Sequence, residues 1–169
     1  MLGIVMFEKK KYVESREKNY QLLLEQIQSL LQGEKNQIAN LANAASLLHQ
    51  FLPQINWVGF YLLIENELVL GPFQGLPACT RIPLGRGVCG TAAKERKTQC
   101  IDDVTQFKGH IACDAASRSE LVIPLIKKDH LLGVLDVDSP IKGRFDETDV
   151  KYLSQFCHIV VSRIWNLSE

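Results

Sequence analysis

Apolar positions recur at helical spacing through the first third of the chain. Tyr20, Leu23, Leu24, Ile27, Leu30 and Leu31 make one stripe, which Gly33 ends. Ile38, Leu41, Ala42, Ala45, Leu48 and Leu52 make a second, closed by Pro53. The pattern then changes. Ile55 to Ile64 is dense in Trp, Val, Phe, Tyr and Ile, and after the polar Glu65-Asn66-Glu67 comes Leu68-Val69-Leu70, which predicts a β-hairpin. Residues 71–90 hold five glycines and three prolines, so they predict a long ordered loop running into a short helix from about Val88 to Arg96. A short strand follows at Thr98 to Ile101, then a second loop from Asp102 to Arg118.

Leu121 to Ile126 and Leu131 to Val137 are two further apolar runs, joined by Lys127-Lys128-Asp129-His130 in the plainest hairpin signal of the chain. Asp146 is placed to cap a last helix that carries Val150, Leu153, Phe156, Val160, Val161 and Ile164 on one side. The order lacks regular βαβ alternation. It therefore predicts an α+β fold, an antiparallel sheet with helices gathered on one face. We read one domain over 1–169: a tail at 1–14, N-terminal helices at 15–52, sheet and loops at 53–145 and a C-terminal helix at 146–169.

Composition narrows the function classes. Nineteen basic and nineteen acidic residues cancel, and the pI near 6.9 provides no long-range field to gather nucleic acid or anionic lipid. No apolar run approaches the roughly 20 residues that span a bilayer, and the N-terminal lysines follow the first apolar stretch where a secretory signal would place them ahead of it. The expectation is a cytoplasmic protein without nucleic acid or membrane partners. An odd count of five cysteines, at 79, 89, 100, 113 and 157, speaks against a static disulfide framework.

Several groups could carry chemistry. Gly85-Arg86-Gly87-Val88-Cys89-Gly90 matches G-x-G-x-x-G, but the context of a parallel βαβ unit is missing; what remains is a turn whose bare N–H groups suit a small carboxylate or phosphate. Cys79, Cys89 and Cys113 fall in two Gly-containing loops, where thiols can be solvated and reactive, though buried core cysteines are as common. A zinc site through His110-x-x-Cys113 with Cys89 or Cys100 lacks paired C-x-x-C spacing. Asp136 and Asp138 lie two apart on a strand, so both carboxylates share a face about 6 to 7 Å apart. If the Lys127–His130 loop sets an even register, Glu120 faces them, and three crowded acids raise one another's pKa so that one stays protonated as a general acid. Trp57 and Tyr61 are four apart on a strand with Gly59 between them, leaving an open floor to an apolar pocket; aromatic core packing is the plainer account.

Together these residues resemble the free methionine (R)-sulfoxide reductases, small stand-alone GAF-type domains. The resemblance runs through Asn56-Trp57-Val58-Gly59-Phe60-Tyr61, Leu70 to Gly75, Gly85 to Gly90, His110 to Asp114, Ser119-Glu120 and Gly133 to Ser139. It implies reduction of free L-methionine (R)-sulfoxide, with Cys113 as the attacking thiol, Cys79 as the main resolving thiol and Cys89 as a second candidate. Cys100 and Cys157 match no functional position and are left to the core. Trp57 and Tyr61 map to the wall around the S-methyl group; Glu120, Asp136 and Asp138 map to the acids around the sulfoxide and ammonium, with Asp102 joining the ammonium contact. The resemblance also implies a homodimer and a thioredoxin-type reductant. The chemistry needs no metal or organic cofactor: a protonated acid helps the sulfoxide oxygen leave, thiolate attack on sulfur leaves a sulfenic acid, and a second thiol condenses with it to a disulfide. Two other classes compete, a non-catalytic GAF sensor of small molecules and a thiol redox sensor or peroxidase. Neither uses the thiols together with the aromatic and acidic pocket.

Overall fold

The structure, a computed structural model, describes residues 11–109 and 114–165. Two N-terminal helices come first, α1 (Arg16–Leu30) and α2 (Gln37–Phe51). Ser15 caps α1 by accepting from the Lys18 N–H, and Asn36 caps α2 by accepting from the Ala39 N–H, each satisfying a donor that the first helical turn leaves bare. Six strands follow: β1 (Trp57–Ile64), β2 (Glu67–Gln74), β3 (Arg81–Pro83), β4 (Gln99–Ile101), β5 (Ser119–Lys127) and β6 (His130–Ser139). Helix α3 (Gly87–Glu95) lies between β3 and β4, and α4 (Glu147–Ile164) ends the described chain. The strands form one antiparallel sheet in the order β3-β2-β1-β6-β5-β4.

Alternation along the central strands sorts their side chains to two faces. Val58, Phe60, Leu121, Ile123, Leu125, Leu135 and Val137 pack against α1, α2 and α4 in the main core. Trp57, Tyr61, Val122 and Val134 point the other way, where Val88, Cys89, Ala92 and Ala93 of α3 cover them. The N- and C-terminal helices thus share one face as expected, and the short glycine-led α3 closes the second face and leaves a site beneath its N-terminus. The expected loop over 71–90 is also shorter, because β2 continues to Gln74 and Arg81–Pro83 pairs as an edge strand. The main layer is tied together at Asp149, fully buried on α4, which pairs with Arg144 at 3.0 Å and Arg16 at 2.8 Å and accepts from the Tyr20 hydroxyl.

The register of β5 and β6 decides where the acids point. Lys128 and Asp129 both have positive φ, 46° and 62°, the two-residue turn that suits hairpin twist, and Lys127 pairs with His130. Continued unbroken, that register would set Glu120 opposite Val137 and send its carboxyl into the helical face. It is not continued. The pairing shifts between Leu125, opposite Gly133, and Ile126, opposite Leu131, so Leu132 is an extra residue in β6. From there Val122 faces Asp136 and Glu120 faces Asp138. The shared face expected of the three acids is present, and the β-bulge, not the turn, produces it.

Gly133 sits at that bulge because β1 passes too close for anything larger: a Cβ there would lie 2.1 Å from the Tyr61 carbonyl oxygen and 3.0 Å from Leu62 Cα. Gly133→Ala should therefore cost at least about 2 kcal/mol in urea unfolding, more than Gly143→Ala, where a φ of 61° strains a side chain but nothing lies within 4 Å of it. Equal losses in the two variants would contradict this account of the bulge.

Candidate active site

Five segments converge under the N-terminus of α3. β1 contributes Trp57 and Tyr61, β5 contributes Glu120, β6 contributes Asp136 and Asp138, α3 contributes Cys89, and the turn before β5 contributes Asp114 and Ser117. They wall two adjoining clefts that meet at Tyr61, Asp114, Asp136 and Asp138, one of about 380 Å³ and one of about 230 Å³.

The aromatic wall is more filled than the sequence suggests. The Trp57 ring stacks on Phe73 at 5.3 Å and on Tyr61 at 5.9 Å. It lies over Gly59, where a Cβ would stand 2.7 Å from Trp57 Cη2 and 2.3 Å from Phe73 Cβ. Gly59 therefore does not leave an open floor; it makes room for the indole. The polar ends of both aromatics then hold the loop that bears Cys79. Trp57 Nε1 donates to the Leu76 carbonyl at 3.1 Å, and the Tyr61 hydroxyl donates to the Cys79 carbonyl at 3.0 Å. One pair of residues is thus both core packing and pocket wall.

Asn56 ties the opposite rim. Its Nδ2 donates to Asp114 Oδ2 at 2.8 Å and to Ser117 Oγ at 3.0 Å, while its backbone N–H donates to the Asp138 carbonyl at 3.0 Å. Asp114 and Ser117 join the site without a sequence pattern that marks them; Asp114 Oδ1 also accepts from the Ala116 N–H, an Asx turn that fixes this rim. The glycine run before α3 has turn chemistry. Gly85 and Gly87 have φ of 85° and 61°, and a Cβ on Gly90 would stand 2.4 Å from the Pro83 carbonyl oxygen. Arg86 occupies the cap position without a side-chain capping bond, and Arg86, Gly87 and Val88 line the larger cleft.

Electrostatics in this space are dominated by burial. Loss of water pushes the Glu120 carboxyl well above the usual carboxylate range, and the charges of Asp136 and Asp138 push it further. Asp138 is raised by burial and then by Asp136 and Asp114. Burial lifts Asp136 to about 7, against hydrogen bonds from Cys89, Glu120 and the Val137 backbone that favour its charged form. The Cys89 thiol, 3.8 Å from Glu120 Oε1, is held up by burial and by the same acids. A charge-poor pocket that keeps carboxyl protons near neutrality is a pocket that can donate one.

Not every expected residue joins this group. Cys113 and His110 lie outside the described residues. Cys79 is half-buried in the loop held by Tyr61, and Cys89 is 4% exposed within α3, not a solvated loop thiol. Asp102 is exposed and belongs to neither cleft wall; its carbonyl accepts from the Gly143 N–H at 2.9 Å. Cys100, left to the core from sequence, is exposed on the three-residue edge strand β4, whereas Cys157 is buried in the main core.

Residues 39–164 match the GAF domain family. The chain is 58% identical over 153 residues to Protein YtsP of Bacillus subtilis, covering 89% of this chain and 94% of that protein. It is 56% identical over 127 residues to the free methionine-R-sulfoxide reductase of Escherichia coli, covering 75% of this chain and 77% of that protein. Among solved structures, free methionine-R-sulfoxide reductase from Neisseria meningitidis in complex with its substrate superposes with a TM-score of 0.83 at 44% identity, over 94% of this chain and 93% of that one.

The acid cluster makes stability depend on pH with a definite sign. Asp136 titrates at about 7 folded against 3.8 ordinarily, so the unfolded chain releases this proton first. Its contribution to stability is intact below about pH 4 and is lost as pH climbs to about 7. Urea midpoints should fall over that window in the native chain, and the fall should shrink in Asp136→Asn. A fall of the same size in both would contradict the assignment.

Proposed function

The chain belongs to the free methionine-R-sulfoxide reductases of the GAF domain family, and from that premise we infer how its residues carry out the reaction. The protein reduces free L-methionine (R)-sulfoxide to methionine. The observation that supports this best is the meeting of a buried carboxyl cluster with an aromatic wall under an uncapped helix N-terminus. The zwitterionic substrate presents an ammonium, a carboxylate and an S-methyl sulfoxide, and the pocket offers a counterpart for each.

In this reading Trp57 and Tyr61 hold the S-methyl group, and the N–H groups of Gly87 and Val88, in the first turn of α3, receive the carboxylate. Asp136 and Asp138 take the ammonium, and Glu120 or Asp138, kept protonated by burial and crowding, gives its proton to the sulfoxide oxygen. The Cys113 thiolate attacks the sulfur. The S–O bond breaks with transfer of oxygen to Cys113, methionine leaves, and the cysteine is left as a sulfenic acid. The Cys79 thiol then attacks that sulfenic sulfur, expelling water and closing a disulfide; sulfur of the substrate gains two electrons and the two thiols lose them. Cys79 suits the second step better than Cys89, whose thiol is held protonated by burial and then by the neighbouring acids. A dithiol reductant of the thioredoxin type would reopen the disulfide. A cytoplasmic setting and pairing into a homodimer belong to the same proposal, and light scattering checks the latter. No helix among the described residues is long and apolar enough to cross a membrane.

The testing assay mixes reduced protein, dithiothreitol and each substrate and measures methionine. Free R-sulfoxide should turn over, with the S epimer and N-acetylated sulfoxide nearly inert, because both charged ends and the methyl wall must be met at once. Cys113→Ser should abolish reduction, while Cys79→Ser, reduced beforehand and then freed of dithiothreitol, should yield about one methionine per chain and stop as sulfenic acid. Equal rates on both epimers, or full turnover by Cys113→Ser, would refute the reading.

A further inference from the structure

Cys89 has no necessary part in that reaction, yet its sulfur is built into the acid cluster. The Cys89 Sγ, one oxygen of Glu120 and one of Asp136 lie within 4.8 Å of one another, and all three residues are buried. Sulfur and Glu120 Oε1 are 3.8 Å apart. Asp136, only 6% exposed, keeps Oδ1 buried without a hydrogen-bond partner among the described residues, in a residue that lines both clefts. That buried oxygen is open to serve as a ligand beside the sulfur and the Glu120 carboxyl.

We propose that the reduced protein binds one thiophilic divalent cation of the zinc class through Cys89, Glu120 and Asp136, and that this cation and the substrate exclude one another. The donor set selects the metal class. One thiolate with two carboxylates suits zinc, whereas magnesium and calcium favour oxygen alone. The spacing fits as well. Tetrahedral zinc, with bonds of about 2.3 Å to sulfur and about 2.1 Å to oxygen, sets its donors roughly 3.4 to 3.6 Å apart. Side-chain rotation that draws the three atoms in by about 1 Å therefore completes three ligands, leaving a fourth position for water. Binding displaces the protons of the thiol and the carboxyls to solvent, so no redox change is involved. The cation would neutralise the acids that otherwise meet the substrate ammonium and sulfoxide, which makes it an inhibitor and not a cofactor. This last point rests on the reductase reading; the ligand set does not.

Cobalt(II) reports such a site optically, because a thiolate bound to cobalt gives a charge-transfer band in the near ultraviolet. The chain to use is the full-length reduced protein carrying Cys79→Ser and Cys113→Ser, kept free of oxygen, which cannot react with sulfoxide. One equivalent of cobalt should raise the band, and zinc should remove it. Adding Cys89→Ser should abolish it, and the near-isosteric Asp136→Asn and Glu120→Gln should each weaken cobalt binding at least about tenfold, with far-ultraviolet circular dichroism unchanged. Free methionine (R)-sulfoxide should bleach the band by competition. Absence of the band, or its survival in Cys89→Ser, would overturn the site, and a band that the sulfoxide cannot bleach would overturn the exclusion. Turnover of the native chain without added metal is read separately, so a failed reductase reading and a failed metal site give different results.

Discussion

Crowding of three carboxylates on one face of β5 and β6 is the constraint on which the rest of this molecule turns. Glu120 and Asp138 face each other across the strands, Asp136 stands two residues along, and α3 shuts out the water that would otherwise stabilise their charges. Charges so placed cost several kcal/mol unless protons or a cation neutralise them. The pocket is therefore poised to hold a proton, to accept an ammonium or to take up a metal ion. The proposed mechanism of sulfoxide reduction uses the first two, and the nearby thiol of Cys89 makes the third chemically specific.

The fold supplies the energy to keep the acids there. The main core between the sheet and α1, α2 and α4 contains most of the large buried side chains, among them Phe60, Phe156, Leu121 and Leu135. The smaller layer under α3 is built from Ala92, Ala93, Val88 and Val122, residues that bring the helix close to the sheet, with Trp57 and Tyr61 bridging from packing to pocket. This division places stability on one face and chemistry on the other. The second face can then carry a destabilising cluster at a cost of a few kcal/mol without loss of the fold.

Much of this was legible in the sequence, for identifiable reasons. Periodicity of 3.6 marked α1, α2 and α4, and Asp146 caps α4 in the structure by accepting from the Thr148 and Asp149 N–H groups. Apolar runs dense in β-branched and aromatic residues, with hairpin signals between them, marked β1, β5 and β6, and the two-residue period of a strand put Trp57 with Tyr61 and Asp136 with Asp138. What escaped was contextual. Gly71-Pro72 reads as a strand breaker, yet β2 runs through it beside the register shift opposite Gly59 and Tyr61. Three-residue strands such as β3 have no period to detect. The bulge at Leu132 is invisible because Leu131-Leu132-Gly133 reads as ordinary strand, so the correct facing of Glu120 came from a turn that alone would have given the opposite face. Cys100 was left to the core because a three-residue edge strand has too few positions to show which side chain reaches solvent.

The central claim is that a desolvated carboxyl of this cluster supplies the proton on which S–O cleavage depends. The direct measurement is the single-turnover rate of methionine formation from free R-sulfoxide in Glu120→Gln and Asp138→Asn, with Asp129→Asn in the hairpin turn as reference. The account predicts a loss of roughly 10²-fold or more in at least one of the cluster variants, the usual worth of a positioned general acid, and little change in the turn variant. Unchanged rates in both cluster variants, with the fold intact, would contradict it.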